Sequence, residues 1–304
     1  MPSPRVSILI PAYNERYFAE AFASARAQSY ESLEIVVCDD SPGRRIEDEV
    51  AAARDARVRY LRNSRRLGFE GNFTECLRQA RGELAKFLND DDRLRPDCVA
   101  RLAEAFQAHS RLRLATSRRQ VIDENGAARA DLPATSPVAY ASCVIEGFEL
   151  GDLALVNSLN LIGEPSTVMF RRDDVQAEEG GLFTWGGKSY HCLADLSLWL
   201  RLLAGGSAYY CASPLSEYRV HRGQEQRGAA MGIDCITERF DLVNEARRAG
   251  FLAIPLQYRA ALDRVEALSA AWRERSSLPA GQRETLKALS VTIAGALTSL
   301  PRES

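Results

Sequence analysis

Over the first 120 residues, short apolar runs alternate with segments of helical period. "VSILIPA" at 6–12 is continuously apolar up to a proline, as suits a strand buried on both faces. A helical pattern follows over about 15–28. "LEIVVCDD" at 33–40 predicts a second buried strand and "RRIEDEVAAAR" at 44–54 a second helix. "VRYLRN" at 58–63 predicts a third strand, and "GNFTECLRQARG" at 71–82 a helix closed by Gly82 as its C-terminal cap. "ELAKFLN" at 83–89 is a fourth strand and "PDCVARLAEAFQAH" at 96–109 a helix with Pro96 in its first turn. "LRLATSR" at 112–118 is a fifth strand. This alternation predicts an α/β fold, a mostly parallel central sheet flanked by helices. Such sheets bind ligands beyond the carboxyl ends of their strands. Tyr13-Asn14, Asp39-Asp40 and Asn89 to Asp92, just past strands one, two and four, should therefore share one edge.

The pattern loosens from 119 to 190. Asn125-Gly126 signals a hairpin. "GEPSTVMFRRDD" at 163–174 contains a further strand, and 178–190 is a glycine-rich loop around Trp185. "ADLSLWLRLLAGG" at 194–206 is a helix with Asp195 at its start and Gly205-Gly206 at its end. Residues 208–223 return to extended character. Beyond about Ile233 the chain reads as helices, broken at 276–282. The predicted organisation is a main domain over 1–230, divided at 120, and a helical C-terminal extension over 231–304.

Composition narrows the function. The 304 residues are 46% hydrophobic and 26% charged, within the soluble globular range. A formal charge of −2 argues against non-specific nucleic-acid binding, and Arg65-Arg66 and Arg118-Arg119 read as solvated faces or local anion contacts. The seven cysteines form no C-x-x-C pair and no zinc spacing. With no recognisable signal peptide, this leads to the expectation of a reduced, cytoplasmic protein. No stretch reaches the ~18 uninterrupted apolar residues of a membrane span. "ALSVTIAGALTSL" at 288–300 suits a surface helix or a homodimer contact, with peripheral membrane contact left open.

Three consecutive carboxylates, Asp90, Asp91 and Asp92, need compensation. The bland reading is a solvated loop that favours the next helix N-terminus. Their place after a buried strand, beside a second acidic strand end, favours a divalent cation, Mn²⁺ or Mg²⁺, held by hard oxygen ligands.

"VSILIPAYNE", "LEIVVCDDSP", "NSRRLGFEGNF", "ARGELAKFLNDDDRLRPD" and "ADLSLWLRLLAGG…LSEYRVHRG" resemble, in that order, the family 2 glycosyltransferases, over roughly residues 5–223. The resemblance implies the GT-A fold, with 1–120 as the nucleotide-binding half and 121–230 as the acceptor half. It also implies a nucleotide-sugar donor. Pro11, Ala12 and Tyr13 would lie at the base, with Glu15 nearby and Asn72 also in the donor site. Asp40 would accept the ring N–H of uracil or thymine, hence a UDP- or dTDP-sugar. Asn89-Asp90-Asp91 aligns with the family's D-x-D motif, Asn89 replacing the first aspartate. Asp90 would approach the ribose or sugar, and Asp91 would be the metal ligand. His221 matches a histidine that reaches metal or diphosphate, and Arg219 and Arg222 are phosphate or solvent contacts.

An acceptor hydroxyl also needs a general base. Asp195 matches that carboxylate by resemblance; its bland reading is a helix N-cap. Trp185 is offered equally to a sugar ring, a lid and the core, while His109 and His191 read as structural. The resulting expectation is a metal-dependent, inverting hexosyltransferase acting on a saccharide or other small-molecule hydroxyl, in bacterial surface polysaccharide or glycoconjugate biosynthesis. The alternative is a non-catalytic nucleotide-sugar or glycan-binding module. A nucleotidyltransferase is disfavoured because "PAYNERYF" contains no glycine, and a calcium loop because "DDDRLRPD" lacks the spacing.

Overall fold

A computed structural model describes residues 4–175, 181–221, 229–275 and 278–300. The first half follows the predicted alternation: β1 (Val6–Ala12), α1 (Phe18–Arg26), β2 (Leu33–Asp39), α2 (Arg45–Ala53), β3 (Val58–Arg62), α3 (Gly68–Gln79), β4 (Leu84–Phe87), the two-residue β5 (Arg93–Leu94), α4 (Cys98–Ala108) and β6 (Leu112–Ile122). There follow β7 (Cys143–Glu146), α5 (Gly147–Asn157), β8 (Met169–Arg171), a small hairpin of β9 (Thr184–Trp185) and β10 (Lys188–Ser189), α6 (Ala194–Leu203) and β11 (Ser207–Arg219). Three helices close the chain: α7 (Ala229–Arg248), α8 (Pro255–Arg273) and α9 (Ala280–Thr298).

The main sheet runs β3-β2-β1-β4-β8-β6-β11-β5, with β7 also on β11. Strands β3, β2, β1 and β4 are mutually parallel, as expected from their uninterrupted apolar runs. The strand foreseen within 163–174 is β8, which enters antiparallel between β4 and β6. The sheet is therefore mixed rather than uniformly parallel on that side. Every residue of β1 and β2 is buried. Two apolar cores lie on the two faces, and the larger continues from Phe87 and Phe170 through Trp199 into Leu242, Leu262 and Ile293 of the terminal helices. Along α9 the Leu286, Leu289 and Ile293 face is buried, while Val291 is 74% exposed. No described helix is long and apolar enough to cross a membrane.

Three expectations are corrected. Gly82 does not cap a helix, because α3 ends at Gln79 with Ala80 already extended. Gly82 instead sits against β1, donating its N–H to Ser7 Oγ at 2.8 Å. Asp195 is not an N-cap; that position is Leu193, and Asp195 lies within the first turn of α6. The cysteines are not all free thiols: Cys192 and Cys235, whose Cα atoms are 5.2 Å apart, form a disulfide tying the segment before α6 to α7, and five others are free. Of the glycine-rich loop at 178–190, residues 178–180 fall outside the described residues, as do Arg222 and part of the 276–282 break.

The close approach at Gly82 is testable. A Cβ there would stand 2.7 Å from Ser7 N and 2.8 Å from Arg5 O, both backbone atoms with little room to yield. Gly82→Ala should cost about 1–3 kcal/mol of stability. A denaturant midpoint equal to that of the parent chain would show that the strand edge yields freely.

Candidate active site

The carboxyl ends of β1, β2 and β4 open into one cleft of about 840 Å³, ample for a nucleotide-sized ligand. Pro11, Tyr13, Glu15, Asp40, Asn72, Asn89, Asp90, Asp91, Asp195 and His221 all line it. Ala12 and Trp185 do not. Ala12 is fully buried beneath the cleft, its carbonyl accepting the Asp40 and Asn72 N–H groups. Trp185 packs within the larger core at 8% exposure, so the sugar-stacking expectation is replaced by a core role.

The three consecutive aspartates point in three directions. Asp90 Oδ2 accepts the backbone N–H groups of Tyr13 and Asn14, each at 2.6 Å, and so pins the β1–α1 turn. Asp91 Oδ2 lies 3.0 Å from His221 Nε2. Asp92 is buried, accepting from Ser166 Oγ at 2.6 Å, Asn89 Nδ2 at 3.2 Å and Arg219 N at 2.9 Å. Burial pushes the Asp90 carboxyl up to about 7, the Asp91 charge adding to the rise and the two turn N–H groups opposing it. The Asp92 carboxyl is held well above its ordinary value, first by burial and then by Asp91.

Arg219 is fully buried beneath this tip. Its Nε donates to Asp91 O at 2.7 Å and its Nη2 to Glu20 Oε2 at 2.6 Å, and its guanidinium lies 4.5 Å over the Tyr17 ring. Fully buried Lys86 on β4 donates to Ser166 O at 2.6 Å, and burial pulls its ammonium below the usual value.

At the second strand end, Asp39 turns inward to Arg62 and Tyr60. Asp40 accepts from Leu67 N at 2.8 Å, Gly68 N at 2.8 Å and Asn63 Nδ2 at 3.0 Å. Its carboxylate thus satisfies N–H groups left over at the start of α3. Asn72 is occupied in the same way: Nδ2 donates to Ala12 O and Cys38 O, and Oδ1 accepts from Asn63, clamping the ends of β1 and β2. At the mouth, the Arg66 guanidinium lies 4.6 Å over the half-exposed Tyr13 ring.

The rest of the lining is built by residues that are far apart in sequence. The turn before α6 is held by α7: Glu238 accepts the N–H groups of His191, Cys192 and Leu193, each at 2.9 Å. The Asp195 carboxylate, in the first turn of α6, lines the cleft. Its Oδ1 accepts from Leu196 N at 2.7 Å and its Oδ2 from Asn160 Nδ2 at 2.8 Å. Desolvation on the cleft wall pushes this carboxyl up to about 7, with the nearby Glu164 charge second. Glu164 pairs with buried Arg119 at 2.7 Å. Arg239 of α7 lines the same wall.

Sequence reasoning missed Asn160, Glu164 and Arg239, and assigned His191 a purely structural role although it lines the cleft. The "GEP" at 163–165 was a usable signal, since a charged residue between glycine and proline just before a strand seldom serves packing. Nothing in the helical period of α7 distinguishes Arg239.

Among the described residues no three His, Cys, Asp or Glu side chains converge as a metal cluster. Asp91 and His221 are a converging pair, one hard oxygen and one imidazole nitrogen. Such a pair fits Mn²⁺ or Mg²⁺ where substrate phosphates supply the remaining ligands.

The family model "Glycosyl transferase family 2" matches residues 7–176. An uncharacterised Mycobacterium tuberculosis protein is 30% identical over 241 residues, 71% of this chain and 67% of its own length. Escherichia coli UDP-Glc:alpha-D-GlcNAc-diphosphoundecaprenol beta-1,3-glucosyltransferase is 33% identical over 88 residues, 29% of this chain and 35% of that one. This chain thus matches about a third of the E. coli enzyme. Among solved structures, S. aureus TarS 1-349 in complex with UDP-GlcNAc superposes with a TM-score of 0.59 at 14% identity, over 96% of this chain and 90% of that one. The strand order, the cleft at the parallel strand ends and these matches converge: the chain belongs to the family 2 glycosyltransferases and has their GT-A fold.

Proposed function

We propose that this glycosyltransferase moves a sugar from a UDP- or dTDP-sugar to a hydroxyl of a saccharide or other small-molecule acceptor, inverting the anomeric centre. One observation carries the reading: a single cleft is lined by both the Asp91–His221 pair and the Asp195 carboxylate. The UDP ligand named for the TarS structure and the UDP-Glc donor in the E. coli relative's name support the donor class. The E. coli name also supports a saccharide acceptor carried on a lipid diphosphate, as in polysaccharide assembly.

In this mechanism the nucleobase lies at the mouth near Pro11 and Tyr13, beside the Arg66 guanidinium. Asp90 acts on the turn rather than on the sugar, holding Tyr13 and Asn14 where the nucleotide enters. Asp91 and His221 would hold Mn²⁺ or Mg²⁺, which supplies positive charge beside the diphosphate. Asp195 takes the proton of the acceptor hydroxyl as that oxygen bonds to the anomeric carbon. The bond to the diphosphate breaks, and its electron pair leaves with the nucleotide. With its proton affinity raised, Asp195 is poised to exchange a proton near neutral pH.

The donor test is UDP, dTDP or GDP release from matching sugar panels with Mn²⁺. Asp91→Ala should stay folded and lose on the order of 10²-fold or more in turnover. Asp195→Asn should lose about 10²-fold or more while keeping a nucleotide-induced melting shift. Near-parental turnover in Asp195→Asn would end the base assignment. Binding without release in the parent chain would favour a non-catalytic sugar-nucleotide module.

Stability gives an independent reading of Asp195. Its folded value of about 7 exceeds the ordinary 3.8, so between these the native state keeps a proton that the unfolded chain has lost. Stability at this site therefore falls as pH rises from about 4 to 7. Asp195→Asn should melt higher than the parent at pH 8, and the gain should vanish near pH 4. An equal difference at both pH values would show that Asp195 titrates normally.

A further inference from the structure

The loop at 158–166, between α5 and β8, is gripped far more firmly than a connection needs. Arg119, 2% exposed, donates from Nη2 to Asn160 O at 2.9 Å and Ala134 O at 2.6 Å, and its Nε faces Glu164 Oε2. Arg239 Nη1 donates to Ser158 O at 2.7 Å, and Trp199 Nε1 to Gly163 O at 2.9 Å. Gly163 has φ +125, a conformation that L side chains rarely adopt, and the turn there folds the loop onto one side chain. That side chain is Asn160. Its Oδ1 accepts from Gly163 N at 3.0 Å, and its Nδ2 donates to Gly163 O at 3.0 Å and Asp195 Oδ2 at 2.8 Å.

An amide fixed on both its oxygen and its nitrogen cannot rotate to follow a moving partner. Its N–H therefore has a set direction, and Asp195 must align with it. We propose that Asn160 is the positioning residue of Asp195, fixing its carboxylate plane and stabilising its ionised form so that the remaining lone pairs face the acceptor. A donor to the charged form lowers a carboxyl's proton affinity. Asn160 thus opposes desolvation and Glu164, the influences that raise it. Arg119 from β6 acts in the same sense as Asn160, and Arg239 from α7 is the other charged group facing Asp195. The consequence for turnover rests on the reading of Asp195 as base; the consequence for its titration does not.

The experiment uses the full chain labelled with [4-¹³C]aspartate, with the Asp195 carboxyl line identified by its loss in Asp195→Asn. In Asn160→Ala the titration midpoint of that line should rise by about one pH unit, a roughly tenfold tighter hold on the proton. Asn160→Asp keeps the shape, removes the donor and adds a charge, so it should raise the midpoint further and stands in should the alanine variant not fold. The acid limb of kcat/KM for UDP release, measured with the UDP-sugar giving most release, should move alkaline by the same amount. The rate should recover above the new midpoint. An unmoved midpoint, or activity reduced equally at all pH values, overturns the proposal. Full turnover in Asp195→Asn would defeat the base reading instead, and the carboxyl line would still decide the role of Asn160.

Discussion

Three carboxylates in a row at the end of a buried strand repel one another, and the architecture of this cleft follows from how they are separated. The backbone turns Asp90, Asp91 and Asp92 toward the β1–α1 turn, His221 and the Ser166–Arg219 pocket respectively. Each is met by different chemistry: backbone dipoles, an imidazole, and neutral donors backed by buried cations. A charge buried without partners would cost several kcal/mol. The protein therefore compensates the outer two aspartates itself and leaves the middle one facing the cleft with a single partner. Under the proposed function a cation would meet Asp91 rather than the whole cluster that the sequence suggests.

That division accounts for Arg219 and Lys86, two fully buried cations of a main sheet that also buries Glu34, Asp39 and Arg119. Arg219 ends β11, beyond which His221 meets Asp91, and its guanidinium touches backbone or carboxylate from the aspartate loop, α1 and the 123–126 turn. Parts of the chain more than a hundred residues apart are thereby bound to the acidic tip. The position of His221 is a consequence of charge compensation beneath it, so the geometry of the Asp91–His221 pair is built into the fold itself.

The strand ends were legible in the sequence because burial on both faces leaves uninterrupted apolar runs, and a polar residue directly after such a run has only the sheet edge to occupy. Tyr13, Asp40 and Asp90 to Asp92 were found on that basis. Gly82 was misread because a glycine near a helix end resembles a cap, whereas here the absent Cβ makes room for β1. Asp40, from the strand pattern, and Asn72, from the resemblance, both line the cleft, yet their hydrogen bonds turn inward, to α3 and to the strand carbonyls. Proximity is readable from a pattern; the direction of a side chain is set by partners that the pattern does not name. The cysteine pair failed for the same reason, since residues 43 positions apart meet only once α7 docks.

The surroundings of Asp195 show why the helical tail cannot be read as an appendage. Asp195 in the first turn of α6 would ordinarily be drawn into capping that helix. Its Oδ1 does accept Leu196 N of that turn and its Oδ2 meets Asn160, while Glu238 of α7 accepts the N–H groups of His191, Cys192 and Leu193 just before the helix. A carboxylate with one donor per oxygen, half-buried and near Glu164, is less comfortable in its charged form than one at a helix cap. Under the proposed function that discomfort is the property a proton acceptor needs near neutral pH, gained at the expense of local stability. The tail therefore contributes by fixing, through Glu238, the turn that leads into α6 and Asp195.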